Sequence, residues 1–277
     1  MSRILAILPA SVLSLVILSS CEFRSHRLVW RPAPGSEFKL RYSAETRADA
    51  GDSWGGRSYV SSVTGVFTVK TDQDPAKGQI DLALAVDTLE FKADERSPEE
   101  DAYMDGRLRK YRARLTLSRT GQALALEEEP ALPPVGFSPL AIGRWLTSAL
   151  PAFPDAPLRQ GKRWEMTQPL LDKFHPGSRV VKRYALSALR GTPDGTMAIC
   201  LVELEAWLDE DVGAGTGPAL KGSGKVEFNI DKGLPESASL DLEGRFQAGP
   251  PAGDSAGAAA GPRIVEIRQK LELSFSD

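Results

Sequence analysis

Cysteine and histidine are nearly missing from this chain of 277 residues, with two of each. The histidines, His26 and His175, are far apart, which excludes the His-Glu-x-x-His zinc spacing. A nucleophile elbow is also missing, since Gly136-Phe-Ser138-Pro-Leu140 lacks the second glycine. Gly222-Ser-Gly224-Lys225 is no phosphate loop, because Val226 follows the lysine where a hydroxyl residue is needed. Gly213-Ala-Gly215-Thr-Gly217 lacks the strand-to-helix setting of a dinucleotide site, and Asp72-x-Asp74 lacks a calcium-loop glycine. Asp209-Glu210-Asp211 is the best calcium candidate, while Glu99-Glu100-Asp101 and Glu127-Glu128-Glu129 read as solvated surface runs. The 34 basic and 37 acidic residues are mixed along the chain, so no stripe for nucleic acid stands out. The expectation is a non-catalytic protein with no cofactor, no metal site and no nucleic-acid partner.

No apolar run reaches the ~20 residues that span a bilayer as a helix. The longest, Ile4 to Leu18, is interrupted by Pro9 and ends in Leu18-Ser19-Ser20-Cys21. That ending resembles the lipobox of bacterial lipoprotein signal peptides. The resemblance implies cleavage between Ser20 and Cys21, diacylglycerol on the Cys21 sulfur and an N-acyl chain such as palmitate. A cysteine suits the step because its thiolate is the nucleophile that accepts lipid. Membrane attachment would then run through Cys21, and Glu22 favours the outer over the inner membrane, since an aspartate there would signal retention. Removing residues 1–20 takes away Arg3 and moves the formal charge from −3 to −4. With Cys21 lipidated, Cys200 has no disulfide partner and reads as a small buried hydrophobe within Met197–Leu208.

The dominant periodicity is two, the signature of strands with one dry and one wet face. Val265, Ile267, Gln269, Leu271, Leu273 and Phe275 share a face opposite Glu266, Arg268, Lys270 and Glu272. Gln269 breaks the apolar face; a hydrogen-bonded core amide is the first reading, a ligand-facing group the second. Hairpins are expected around Asp231-Lys232-Gly233 and Arg119-Thr120-Gly121, and further strands at Phe38–Thr46, Tyr59–Lys70, Val180–Leu189 and Met197–Leu208. The apolar parity of residues 79–91 changes after Val86, which predicts a bulge. Met197–Leu208 is apolar on both sides and should lie centrally or under a helix. One helix is expected at 138–150, capped by Ser138, with Trp145 and Leu146 facing a sheet.

The chain divides into a signal peptide (1–20), a tether (21–34), a β-rich half (35–129), a connection with the helix (130–160) and a second β-rich half (161–277). Gly35-x-x-Phe38 matches Gly161-x-x-Trp164, which suggests duplication. Loose loops are expected at 92–105, 209–224 and 248–262. Trp145, Trp164 and Trp207 read as core, Trp54 as a loop residue, and Trp30 and Phe23 as membrane-interface residues.

These Gly-x-x-Trp/Phe segments and the Pro-rich approach Phe153-Pro-Asp155-Ala-Pro157 resemble an uncharacterised β-rich family of bacterial lipoproteins. The alternation with one plugging helix is similar, at fold level, to half-barrel lipoprotein and lipid carriers. The fold expected is mainly β: antiparallel sheets as a barrel, half-barrel or sandwich with one short packed helix. The function expected is a lipid-anchored envelope protein that binds a hydrophobic ligand; the alternative is a protein-interaction scaffold with an envelope partner.

Overall fold

The structure, a computed structural model, describes residues 25–50, 58–74, 77–94, 104–130, 141–171, 177–207, 218–248 and 263–276. The alternating segments form β1 (Glu37–Ala50), β2 (Ser58–Asp74), β3 (Gln79–Ala93), β4 (Arg112–Ser118) and β5 (Ala123–Glu129). After these come β6 (Arg163–Pro169), β7 (Arg179–Thr192), β8 (Gly195–Trp207), β9 (Leu220–Asn229), β10 (Leu234–Ala248) and β11 (Arg263–Ser276). A helical turn, α1, covers 104–108. The principal helix, α2, is Ile142–Ala149.

All eleven strands belong to one antiparallel sheet, in the order β5-β4-β3-β2-β1-β11-β10-β9-β8-β7-β6. Of the expected architectures, a sandwich and a closed barrel are thereby set aside. Each strand pairs with its neighbours in sequence, and β1 and β11 zip together from Lys39↔Ser276 to Ala50↔Val265. This is the order of an up-and-down barrel whose one unpaired junction lies between β5 and β6. The sheet is therefore open, with a seam at that junction.

The two ends of the sheet differ. Tight links close one end, between β4 and β5, β7 and β8, and β9 and β10. The strand ends joined by the longer connections, after β1, β3, β6, β8 and β10, lie at the other. The link from β5 to β6 starts at this loop end and finishes at the turn end, so it returns down the seam. It carries α2.

Alternation decides which face is dry. Leu40, Tyr42, Ala44, Val63, Phe67, Leu82, Leu115, Val180, Tyr184, Cys200, Val202, Val226, Leu240 and Leu271 lie buried on the inner face. The outer face carries charge ladders, such as Arg183 between Glu165 and Glu205, Lys221–Glu243 and Arg245–Glu266. Such exposed pairs add little stability, but they show that the outer face suits water. A lipid-facing barrel has the opposite pattern. No helix among the described residues is long and apolar enough to cross a membrane.

The bulge predicted in β3 is present: Val66 pairs with Thr88 and Phe67 with Val86, leaving Asp87 as the extra residue. Its carboxylate accepts from Lys39 Nζ (2.8 Å) and Thr68 Oγ1 (2.8 Å), so the displaced residue is held on the wet side. Gly35 and Gly161 share positive φ (71° and 82°), each two residues before a strand, with Phe38 and Trp164 turned inward.

Several expectations are corrected. The helix starts at Ile142 with Ala141 at its N-cap and no side-chain cap, while Ser138 lies outside the described residues. Residues 220–224 belong to β9 rather than to a loop, because alternate residues there pack inward. Trp30 is buried, 2% exposed, and so is not at a membrane interface. Residues 26–32 of the segment read as a tether pack on the sheet, and His26 and Leu158 exchange backbone hydrogen bonds of 2.8 Å. Trp207 falls on the outer parity of β8, half-buried with the Arg179 guanidinium 5.4 Å from its ring centre. The strand apolar on both sides, β8, is interior to the sheet, but its second face is open: Leu201 is 51% exposed. Cys21, Ser20, Phe23, Trp54, His175, Asp209-Glu210-Asp211, Glu99-Glu100-Asp101, the glycine run at 213–217 and loop 249–262 lie outside the described residues.

Candidate functional site: a helix clasped across the seam

An open seam exposes two strand edges unless something covers them. Here the cover is α2 and the segment that follows it. Of its eight residues all but Arg144 are buried, and it rests against β5 on one side and β10 and β11 on the floor.

The N-terminal end of α2 is held from β5. Glu128 Oε1 accepts the Gly143 N–H (3.2 Å) and the Tyr111 hydroxyl. A carboxylate there meets orphan N–H groups and the positive end of the helix dipole. Gly143 leaves room for this approach, since a Cβ would sit 2.7 Å from Glu128 Oε1 and 2.6 Å from Leu126 Cδ2 and push those side-chain ends aside. Burial, with the Glu128 charge beside it, drives the Tyr111 hydroxyl well above its ordinary pKa.

From β6 and β7 comes the hold on the C-terminal end. Lys182 Nζ, fully buried, donates to Thr147 O (2.8 Å) and Leu150 O (2.8 Å). Gln168 Nε2 donates to Thr147 O as well (2.9 Å). These carbonyls are orphans of the last turn, at the negative end of the dipole. Burial pulls the Lys182 amine down to about 7.

The chain beyond α2 is secured in the same manner. Trp30 Nε1 donates to Pro151 O (3.0 Å), Trp164 Nε1 to Ala152 O (2.9 Å), and the Ala152 N–H to Tyr184 Oη (3.2 Å). Phe153 N–H reaches Thr120 O (2.7 Å), which ties the segment to the β4–β5 turn. Gly121 in that turn has φ +82°, and a Cβ there would meet Pro151 O at 2.2 Å. Phe153 also packs edge-on to Phe228, with ring centres 4.7 Å apart. The inner face under α2 is thus filled by the chain's own side chains, and space for a ligand requires α2 to shift.

Two inward polar groups lack full pairing among the described residues. Gln168 Oε1 has no hydrogen-bond partner, and neither Oε1 nor Nε2 of Gln269 has one. Gln269 is therefore not the hydrogen-bonded core amide of the first reading.

Sequence reasoning missed Lys182 and misassigned Glu128. Lys182 shares its parity with Val180, Tyr184 and Leu186, so a charge on the apolar face was visible. Glu128 sits within an acidic run read as solvated, yet it turns inward while Glu127 and Glu129 flank it on the other parity. A bulge between Thr116 and Leu117 resets the alternation of β5 and hides this from a simple count. Cys200 is buried as read, and burial pushes its thiol up to about 12. Among the described residues no group of three His, Cys, Asp or Glu side chains is placed to hold a metal.

No protein-family model matches the chain, and no curated protein matches it in sequence. Among solved structures it is similar to a chain described under lipid–protein interactions in lipovitellin, at 12% identity with a TM-score of 0.38. The match covers 89% of this chain and 26% of that one, so this chain spans about a quarter of that length. The likeness is one of β-rich chain path, and it is weak.

Proposed function

We propose that this is a lipid-anchored protein of the bacterial envelope, on the outer membrane, that takes an apolar chain against the inner face of the sheet beneath α2. The carrying observation is the closure of the seam. Strand pairing would have sealed β5 to β6 with a ladder of backbone hydrogen bonds. Instead the seam is covered by a two-turn helix held by side chains, over a face that is mostly apolar. Lifting α2 breaks no strand ladder. It breaks the hydrogen bonds that α2 makes with Glu128, Gln168 and Lys182, and trades the helix's apolar contacts for those of a ligand, at ~25 cal/mol per Å² of apolar surface covered. A cover with these properties suits an interior that opens and closes. The anchor on Cys21 rests on the sequence alone.

A second reading, docking of an envelope protein, has one specific observation. Leu201 is 51% exposed on the outer face of β8, beside half-buried Ile199.

Native mass spectrometry of the full chain, purified from bacterial membranes in mild detergent, tests the first reading. The denatured mass reports processing at Cys21 and any covalent lipid. A further mass present in the native protein and lost on denaturation reports a bound chain. A protein that carries no such mass, and takes up none when offered phospholipid or fatty acid, has no such site.

A further inference from the structure

The inner face at the middle of the sheet carries a polar group that the fold itself does not use. Gln269 lies on β11, between buried Ile267 and Leu271 and opposite Thr46 of β1 and Leu242 of β10. It is 3% exposed. Neither atom of its amide has a hydrogen-bond partner among the described residues. An amide taken out of water without partners opposes folding, and leucine at the same place would not. Such a group calls for a reason in function.

Register places it beside Thr46, in a row that is polar toward β2 and apolar across β10 to β8. Reading across the sheet at one level, Ser61, Thr46, Gln269, Leu242, Gly222, Leu204 and Lys182 are successive partners on β2, β1, β11, β10, β9, β8 and β7. The next rows toward the turn end are dominated by apolar side chains, Ala44, Leu271, Leu240, Val202 and then Tyr42, Leu273, Ala238, Val226. An amphiphile lying beneath α2 would thus meet hydrocarbon toward the turn end and a polar level at Gln269. The floor of α2 is formed by β10 and β11, the strand of Gln269 and its neighbour.

Resting on the reading above, we infer that Gln269 is the head-group contact of the interior site, for a long acyl chain ending in a neutral carbonyl that carries a donor beside it. The side-chain amide offers one acceptor and a donor side by side. Its complement is a group with the same pair reversed, a carboxamide or a protonated carboxylic acid. The head is neutral because an ionised group on this apolar floor, with no counter-charge at Gln269, would be strongly disfavoured.

The test compares hexadecanamide, hexadecanoic acid and hexadecane, each competing with a fluorescent acyl probe on the full chain and its Gln269→Leu variant. The expected result is a loss of about tenfold in affinity for the amide in Gln269→Leu, with hexadecane unchanged and a raised Tm. A matching loss for the acid at low pH alone assigns the same contact to the protonated acid. If Gln269→Leu binds amide, acid and hydrocarbon as the parent does, Gln269 is not the contact, and the site beneath α2 stands without it. If the parent binds none of the three, the proposed function fails and this inference with it. Gln269→Met, of similar length, serves if the leucine variant does not fold. In the parent, a shift of the Gln269 side-chain N–H resonances on adding hexadecanamide is a further requirement, and their constancy under saturation overturns the assignment.

Discussion

Lys182 and Glu128 grip opposite ends of one helix, the ammonium at the Thr147 and Leu150 carbonyls and the carboxylate at the Gly143 N–H. They come from opposite sides of the seam, Glu128 from the edge strand β5 and Lys182 from β7, next to the edge strand β6. Each charge meets the helix end of opposite partial charge. The clasp spans the gap that strand pairing leaves open.

The amine of Lys182 has a pKa of about 7 in the folded protein and 10.5 when exposed. Between these values the unfolded chain holds the extra proton, so stability rises as pH goes from 7 toward 10.5. Below pH 7 both states are protonated and the burial penalty is fully present. The rise should be on the order of a few kcal/mol. Urea titrations at pH 7 and pH 9.5 measure it, and Lys182→Met should flatten it. An equal rise in the variant would place the titrating group elsewhere.

Removing the carboxylate of Glu128 leaves the buried Tyr111 hydroxyl and the Gly143 N–H without their acceptor. Glu128→Ala should cost about 2–4 kcal/mol, since each of the two stranded donors costs about 1–3 kcal/mol. It should also loosen the cover more than the sheet. Hydrogen exchange is expected to speed up at 143–150 well before the β1–β11 ladder, and uniform acceleration would contradict the clasp.

Gly121 and Gly78 both have positive φ, but only Gly121 lies against neighbours. A Cβ at Gly78 would be 3.9 Å from the nearest atom, the end of Arg119, whereas at Gly121 it would be 2.2 Å from Pro151 O. Gly78→Ala should therefore cost only the ~1–2 kcal/mol of left-handed backbone. Gly121→Ala should cost clearly more, because Trp30 and Pro151 must also move. Thermal melts of the two variants decide this, with equal losses refuting the packing at Pro151.

Cys200 is fully buried and its thiol is pushed up to about 12. In native buffer it should be inert to a thiol reagent for hours, then react once the protein is unfolded. Prompt labelling of the native protein would mean that the inner face of β8 opens readily.

The sequence by itself determined the strands, because period-two alternation is a local property that burial on one face enforces. It also showed the bulge after Val86, the hairpin at Gly121 and the inward Trp164, each readable from a few adjacent residues. It did not reveal where Lys182, Glu128, Trp30 or Gln269 would find or fail to find partners. Lys182 meets carbonyls more than thirty positions away, and Trp30 meets Pro151 across the whole first half. Such contacts depend on the pairing of β1 with β11, which joins the two halves of the chain into one sheet. Only the tertiary structure decided that a helix covers the seam, since side chains from both of its margins must converge on that helix before its buried ends are satisfied.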